Sequence, residues 1–273
     1  MYFDLRTRNA ACYFVLEFMD MAPNEDLTKL FSKYENDFEK FWKRNADRIA
    51  EVNIEDLRIK AFHVVGALDE CKEIKSNGLI NLQMVLSGNT SFNRLLNKAG
   101  ITFNIKDKTL ECDGTIYDID YEKYRYRHFL SKTDEKLSKI ARRVYDDFGV
   151  NGFLVNDDVL NYGTDIHKRP EFLMTLAELF PQALKLENYW RNKSKSYKVD
   201  FWVTVDQVHH FYEDENGDQW WAELNDELKF KKWMLSHAMD RAVNGLGGER
   251  VLYVRNDVSI PPNQIVEVNL LDN

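Results

Sequence analysis

The sequence predicts an α+β fold, in which helices and strands are mixed along the chain. Hydrophobic residues make up 44% of the 273 residues, which is enough apolar surface for a sizeable core. Residues 101–120 alternate apolar and polar side chains around two turn sequences, which is typical of a hairpin or small meander. Elsewhere, helical and extended patterns follow one another without the regular strand–helix–strand succession of a parallel α/β sheet.

The first part of the chain divides into a helical N-terminal segment, 1–58, and a domain that begins at residue 59. Between residues 24 and 50, apolar side chains recur every three or four positions among charged ones, which predicts one amphipathic helix. The apolar run IKAFHVVGA, 59–67, predicts a strand. The polar stretch LDECKEIKSNG, 68–78, predicts a short helix that ends at Gly78 in the left-handed conformation.

The second domain extends to residue 273 and continues the mixture of helices and strands. Periodic apolar patterns predict helices at about 133–148, 169–181 and 226–244. Short β-rich runs predict strands at 151–157, 197–208, 249–255 and 264–270. The sequence NGLGG, just before the strand at 249, predicts a tight turn.

Charge and cysteine content narrow the class of protein. The formal net charge of −8 argues against a protein whose whole surface coats nucleic acid or an anionic membrane, so any such partner meets a local patch. No run of about 18 apolar residues occurs, and we expect neither a signal peptide nor a membrane-spanning helix. Cys12, Cys71 and Cys112 are odd in number and lack CxxC spacing, which favours reduced thiols in a cytoplasmic protein without a structural zinc site.

Several short motifs occur in a particular order. A histidine lies inside the predicted strand, in FHVV, 62–65, and the following helix ends in NGL, 77–79. The motif GFLVNDD occupies 152–158. Near the C-terminus, GGERVLYV, 247–254, is followed by IPPNQI, 260–265. Each motif is short, so their order and spacing carry the information.

This order resembles that of the ADP-ribosyltransferase superfamily of the diphtheria-toxin and poly-ADP-ribose polymerase type, and of toxins of the DarT kind. The resemblance implies a split core of mixed and antiparallel strands in 59–273, with helical insertions, and NAD as a substrate. It implies that His63 hydrogen-bonds a ribose hydroxyl of NAD and that the backbone at Val64 holds the nicotinamide amide. Glu249 would hold the ribose 2′-hydroxyl, stabilise an oxocarbenium-like transition state and orient the acceptor.

Four further residues belong to the NAD site that the resemblance implies. The tyrosine that stacks on nicotinamide in the family is replaced here by Phe153 or Leu154, and a phenylalanine ring can still stack through its face. Tyr162 is the substitute ring if Phe153 faces the core. Arg169 is expected to meet the NAD diphosphate through paired hydrogen bonds.

Each of the main residues also has a purely structural interpretation. His63 can be a core histidine whose polar atoms are satisfied locally, and Glu249 can be an exposed acid at the start of a strand. Arg169 precedes Pro170, so it can equally serve the N-terminus of the predicted helix.

A basic and aromatic segment at 121–143 suggests contacts with nucleic acid. Rings can stack on the bases of a single strand while cations meet its phosphates. A solvated surface with its rings in the core is the alternative interpretation. A second basic patch lies at 191–198. The candidate nucleic-acid contacts in the first segment are Tyr124, Arg125, Arg127 and His128.

Two other function classes fit parts of the sequence. A metal-dependent hydrolase or nuclease would use the histidines and nearby acids, although HExxH and HxxxH spacings are absent and adjacent strand residues face opposite ways. We therefore expect no metal site. A non-catalytic interaction protein would use the N-terminal helix and the six tryptophans as a partner surface. The histidines concerned in the first alternative are His128, His167, His209 and His210.

Together, the motifs predict a cytoplasmic enzyme that transfers ADP-ribose from NAD to a macromolecule, nucleic acid or protein, and releases nicotinamide. By analogy with compact members of the superfamily, we expect a bacterial or phage-related toxin or defence effector of the abortive-infection kind. An antitoxin or inhibitor protein is the further partner that this analogy implies, and no membrane partner is expected.

Overall fold

The structure is a computed structural model that describes residues 1–126, 131–209, 224–245 and 247–271. Within these ranges helices and strands are intermixed, and the predicted α+β class is confirmed. The α-helices described are α1 (Arg8–Phe18), α2 (Leu27–Ser32), α3 (Phe38–Glu51), α4 (Lys72–Asn77), α5 (Leu82–Ser87), α6 (Ser91–Lys98), α7 (Lys132–Tyr145), α8 (Glu171–Ala177), α9 (Pro181–Lys193) and α10 (Asp226–Met239). The strands described are β1 (Tyr2–Phe3), β2 (Arg58–Ala67), β3 (Ile101–Asn104), β4 (Thr109–Cys112), β5 (Thr115–Asp118), β6 (Asn151–Asn156), β7 (Lys195–Thr204), β8 (Glu249–Tyr253) and β9 (Ile265–Leu270).

The strands in the described ranges form one six-stranded and one three-stranded sheet. The order in the larger sheet is β8-β6-β2-β7-β9, and β1 pairs in parallel with β2. β7 and β9 are antiparallel, with a register shift between Asp200 and Phe201. In the smaller sheet β3, β4 and β5 are successive antiparallel strands, so the meander predicted for 101–120 is confirmed.

The chain forms two compact units. The predicted N-terminal segment, 1–58, lies within the first of them together with segments from later in the chain. Unit 1 consists of Met1–Ala61, Phe153–Asp157 and Trp202–Leu252. Unit 2 consists of Phe62–Gly152, Asp158–Phe201 and Tyr253–Asn273.

Unit 1 is organised around α10, which packs against α1 and α3. Lys231 and Lys232 on α10 are both almost fully buried. Lys232 Nζ lies 2.7 Å from Glu39 Oε1, and Lys231 Nζ donates to the Ala50 carbonyl at 2.9 Å. Because a buried ammonium group needs a partner, these contacts tie α10 to both ends of α3.

The single helix predicted between residues 24 and 50 is wrong, since two helices, α2 and α3, occupy this stretch. Glu35 and Asn36 have φ values of 59° and 57°, in the left-handed region, and interrupt the helical path. Asp37 then caps α3 by accepting from Glu39 N at 2.8 Å. The apolar spacing continues across this break, which explains why periodicity alone gave one helix.

The core of unit 2 lies among α7, α8, α9 and the three-stranded sheet. α8 ends at Ala177, and Pro181 opens α9 instead of closing the helix predicted at 169–181. Proline suits this first helical position because its missing N–H would have no partner there. Fully buried side chains from these elements include Ile101, Leu110, Ile140, Leu173 and Leu176.

Gly78 ends α4 as predicted and has a positive φ of 81°, but its ψ of −168° lies outside the left-handed helical conformation that was predicted. A Cβ at this position would overlap the Ile260 carbonyl. Leu79 and Ile260 form an antiparallel bridge, with Leu79 N to Ile260 O at 2.9 Å and Ile260 N to Leu79 O at 2.8 Å. The motifs NGL and IPPNQI therefore meet directly in unit 2.

Cys12, Cys71 and Cys112 are free thiols. Within the described ranges, no helix is both long enough and apolar enough to span a membrane.

Candidate functional site

His63 is half-buried on β2 and makes one well-defined hydrogen bond. Its Nδ1 lies 2.8 Å from the Asn151 carbonyl oxygen. Because a carbonyl oxygen can only accept, Nδ1 carries the proton. Burial lowers the pKa of the imidazole below its usual value, and the bond to Asn151 opposes this shift without cancelling it. His63 is therefore a neutral ring at neutral pH, and its Nε2 is left as a hydrogen-bond acceptor.

Burial along β2 differs between the two sides of the strand. His63 and Val65 are half-buried, whereas Phe62 and Val64 are 4% and 2% exposed. Alternate residues of a strand face opposite sides, so the imidazole lies on the more open side within unit 2. Val64 contributes its side chain to the core, which leaves only its backbone for the role implied by the resemblance.

Glu249 is exposed at the first position of β8, as expected for the start of a strand. The turn before it depends on three glycines within unit 1. Gly245 and Gly248 have φ values of 66° and 89°. At Gly247 a Cβ would overlap the Asp157 carboxylate and would lie 3.0 Å from Arg241 Nη1. The glycine turn that precedes Glu249 therefore packs closely against the Asp157 side chain.

Asp157 is itself held by Arg241, which follows α10 in a π-helical turn. Arg241 Nη2 lies 3.1 Å from Asp157 Oδ1, and Arg241 Nη1 lies 3.3 Å from Asp157 Oδ2. Arg241 Nη2 also donates to the Arg6 carbonyl at 3.3 Å. This ion pair therefore links the end of the GFLVNDD motif with the glycine turn, a support that the sequence did not reveal.

The residues at the predicted nicotinamide-stacking position are both buried. Phe153 is 6% exposed and Leu154 is 0% exposed in the core of unit 1. Tyr162 is half-buried in unit 2, after a short 3-10 helix at Val159–Asn161. Tyr162 is therefore the more accessible of the three candidate side chains.

Arg169 is committed to contacts inside unit 2. Its Nε lies 2.5 Å from Glu187 Oε1, and its Nη1 donates to the Thr164 carbonyl. The two charged side chains are only 4% and 10% exposed. Because α9 supplies a buried carboxylate to this guanidinium, we assign Arg169 a structural role and leave it out of the proposed NAD site.

The basic and aromatic segment is only partly accessible. Tyr124 is 7% exposed and donates through its hydroxyl to the Asp118 carbonyl at 2.7 Å, so its predicted place on a nucleic-acid track is corrected to the core of unit 2. Arg125 Nη1 lies 3.6 Å from Glu122 Oε1, and the Arg125 guanidinium lies 5.7 Å from the centroid of the Tyr126 ring. Tyr126 is 75% exposed. Arg127 and His128 lie outside the described residues.

The histidines of the hydrolase alternative do not gather into a metal site in the described part of the chain, where no group of three His, Cys, Asp or Glu side chains is suitably placed. His167 is 3% exposed, and burial lowers its pKa. His209 lies after β7, and His210 lies outside the described residues.

A shallow cleft of about 590 Å³ also lies in unit 2, where α5, α6 and β3 meet. Its lining includes the polar side chains of Asn93, Asn97 and Thr102, and none of the predicted site residues contributes to it. No protein-family model, no curated protein and no solved structure matches this chain.

Proposed function

We propose that this protein is an NAD-dependent ADP-ribosyltransferase, with NAD as a substrate and a macromolecule, nucleic acid or protein, as the acceptor. The proposal includes an ADP-ribosyltransferase-like arrangement of residues 59–273. It rests first on the order of the motifs FHVV, GFLVNDD and GGERVLYV, which contribute residues to β2, β6 and β8 of the six-stranded sheet.

The observation that supports the proposal most is the tautomer of His63. A neutral imidazole with Nδ1 protonated offers Nε2 to a hydroxyl donor, and ribose hydroxyls of NAD are such donors. A histidine that only filled a core would not need an open acceptor nitrogen. No hydrogen bond joins Nε2 to another side chain or carbonyl in the described part of the chain.

Glu249 supplies the charge that this chemistry needs. The bond between ribose C1′ and the nicotinamide nitrogen breaks, and nicotinamide leaves with the bonding electrons as a neutral molecule. A nucleophilic atom of the acceptor then bonds to C1′ and loses its proton, for which the Glu249 carboxylate is the base. A carboxylate beside the oxocarbenium-like transition state also stabilises its positive charge.

The accessible position of Glu249 fits this role better than the non-catalytic alternative, which would be favoured by a buried glutamate. We also propose, by analogy, a biological role as a toxin or defence effector that is held in check by an antitoxin or inhibitor protein.

The test is NAD turnover by the full chain with protein or single-stranded oligonucleotide as acceptor, measured as nicotinamide release and ADP-ribose incorporation. Glu249→Gln keeps the size of the side chain but removes its charge, so turnover should fall about a hundredfold or more while NAD binding by calorimetry survives. Glu267→Gln, which changes an exposed glutamate on β9, is the matched control and should leave turnover intact. Equal turnover in wild type and Glu249→Gln would end this assignment.

A further inference from the structure

Unit 1 carries an exposed group of rings and cations that the proposed function does not use. Tyr2 and Arg58 are partners in the parallel pairing of β1 with β2. The Arg58 guanidinium lies 4.3 Å from the centroid of the Trp202 ring, and it donates to the Tyr2 hydroxyl at 3.1 Å. Lys60 Nζ lies 4.5 Å from the centroid of the Tyr2 ring. We name Tyr2, Arg58, Lys60 and Trp202 the ring–cation face.

The ring–cation face is accessible to a ligand. Tyr2 is 42% exposed, Arg58 is exposed, and Lys60 and Trp202 are half-buried. On the other side of this first part of β2, Ile59 and Ala61 are both 0% exposed. The cations and rings are therefore collected on one side of the strand, as its two-residue period requires.

Positive charge exceeds negative charge at this face. Asp4 is buried beside it, and its carboxylate lies 2.8 Å from Arg6 Nη2 and 3.6 Å from Lys60 Nζ. Burial would raise the pKa of Asp4, but hydrogen bonds and charge from Arg6, together with the charge of Lys60, hold it below its usual value. Among the described residues, no carboxylate lies within ion-pair distance of Arg58, whose guanidinium contacts the Trp202 ring and Tyr2.

A guanidinium that contacts the face of a ring keeps N–H groups for oxygen acceptors such as phosphate. An exposed tyrosine beside it offers a surface on which a planar base can stack. Single-stranded nucleic acid combines both features, because its unpaired bases and its phosphates alternate along the chain. An acidic peptide would satisfy the cations but would leave the rings without a matching partner.

We propose that the ring–cation face binds single-stranded nucleic acid, with phosphates at Arg58 and Lys60 and a base stacked on Tyr2. On a chain with a net charge of −8, this binding depends on the local cations and not on the overall charge. The inference does not rest on the proposed enzymatic function, because the face binds its ligand whether or not NAD is turned over.

The test uses fluorescence anisotropy of labelled 20-nucleotide oligo-dT and oligo-rU with the full chain over a series of salt concentrations. Tyr2→Ala should weaken binding by about tenfold, as expected for the loss of one stacked base. Arg58→Gln with Lys60→Gln should weaken binding and reduce the magnitude of the salt slope by about 1.4.

The matched control is Lys43→Gln with Arg44→Gln, which removes the same formal charge from exposed positions of α3 in the same unit. This variant should bind oligonucleotide within about twofold of wild type. Unchanged urea midpoints in all variants would exclude misfolding as the cause of a loss. The proposal is overturned if no salt-dependent binding occurs, if the control loses as much affinity as the Arg58 and Lys60 variant, or if polyglutamate competes as well as unlabelled oligonucleotide.

Discussion

Replacement of Gly247 by alanine tests the packing of the turn that carries Glu249. The new methyl group would overlap the Asp157 carboxylate, with Asp157 Cγ at 2.9 Å and Arg241 Nη1 at 3.0 Å from it. The least costly response is a rotation of Asp157 away from the turn, because its side chain is 54% exposed. That rotation breaks both of its contacts with Arg241, and a partly exposed ion pair of this kind contributes about 0.2 to 1 kcal/mol. If the turn moves instead, the strain of overpacking costs about 1 to 3 kcal/mol.

We therefore expect Gly247→Ala to lower the free energy of unfolding by about 1 kcal/mol, measured by urea denaturation. In an Asp157→Ala background the same change should cost less, because the overlapping carboxylate is gone. The loss of unfolding free energy caused by Gly247→Ala should differ between the two backgrounds by more than the deviation of about 0.3 to 0.5 kcal/mol that is usual for independent sites. Gly163→Ala is the control, since no atom lies within 4 Å of a Cβ at that position. Equal losses from Gly247→Ala in both backgrounds would refute the packing argument.

Three further predictions concern the ionisable side chains. His63 should show Nδ1 protonated and Nε2 unprotonated at pH 7 in nitrogen NMR spectra, with a pKa below its usual value because burial disfavours the charged ring; a protonated Nε2 at that pH would contradict the assigned tautomer. Arg169→Met leaves the Glu187 carboxylate buried and should cost about 3 kcal/mol in urea denaturation, whereas adding Glu187→Leu should recover most of this loss. Because the pKa of Asp4 is lowered in the folded state, its ionisation stabilises the fold above the pKa that Asp4 has in the unfolded chain, and this stabilisation is lost as pH falls through the pKa in the folded state. The difference in unfolding free energy between wild type and Asp4→Asn should therefore narrow below about pH 4. A difference that stays constant with pH would show that ionisation of Asp4 is unimportant.

Elements with a clear local signal could be predicted from the sequence. The alternation in 101–120 predicted the meander because each residue of a strand alternates sides, and β3, β4 and β5 follow that pattern. Gly78 was predicted to end a helix because only glycine adopts positive φ without a steric cost. The exposed start of β8 at Glu249 followed from the glycine turn before it. In each case neighbouring residues alone contain the required information.

Breaks within a continuous pattern could not be predicted in the same way. The apolar spacing between residues 24 and 50 suits one helix, yet Glu35 and Asn36 adopt left-handed conformations and separate α2 from α3. Pro181 was assigned to the end of a helix, whereas it begins α9. Proline is compatible with both positions, and tertiary packing decided between them.

The sequence by itself determined the class of fold, most strand positions and the residues that deserve chemical attention. Only the tertiary structure decided what each of those residues contacts. His63 obtains its tautomer from the carbonyl of Asn151, 88 residues away, and every residue type offers such a carbonyl. Arg169 is turned to a structural role by Glu187, and Asp157 is held by Arg241, 84 residues away. The periodicity of a sequence indicates which side of a helix or strand is buried. Contacts between residues that are distant in sequence depend on how the helices and strands pack.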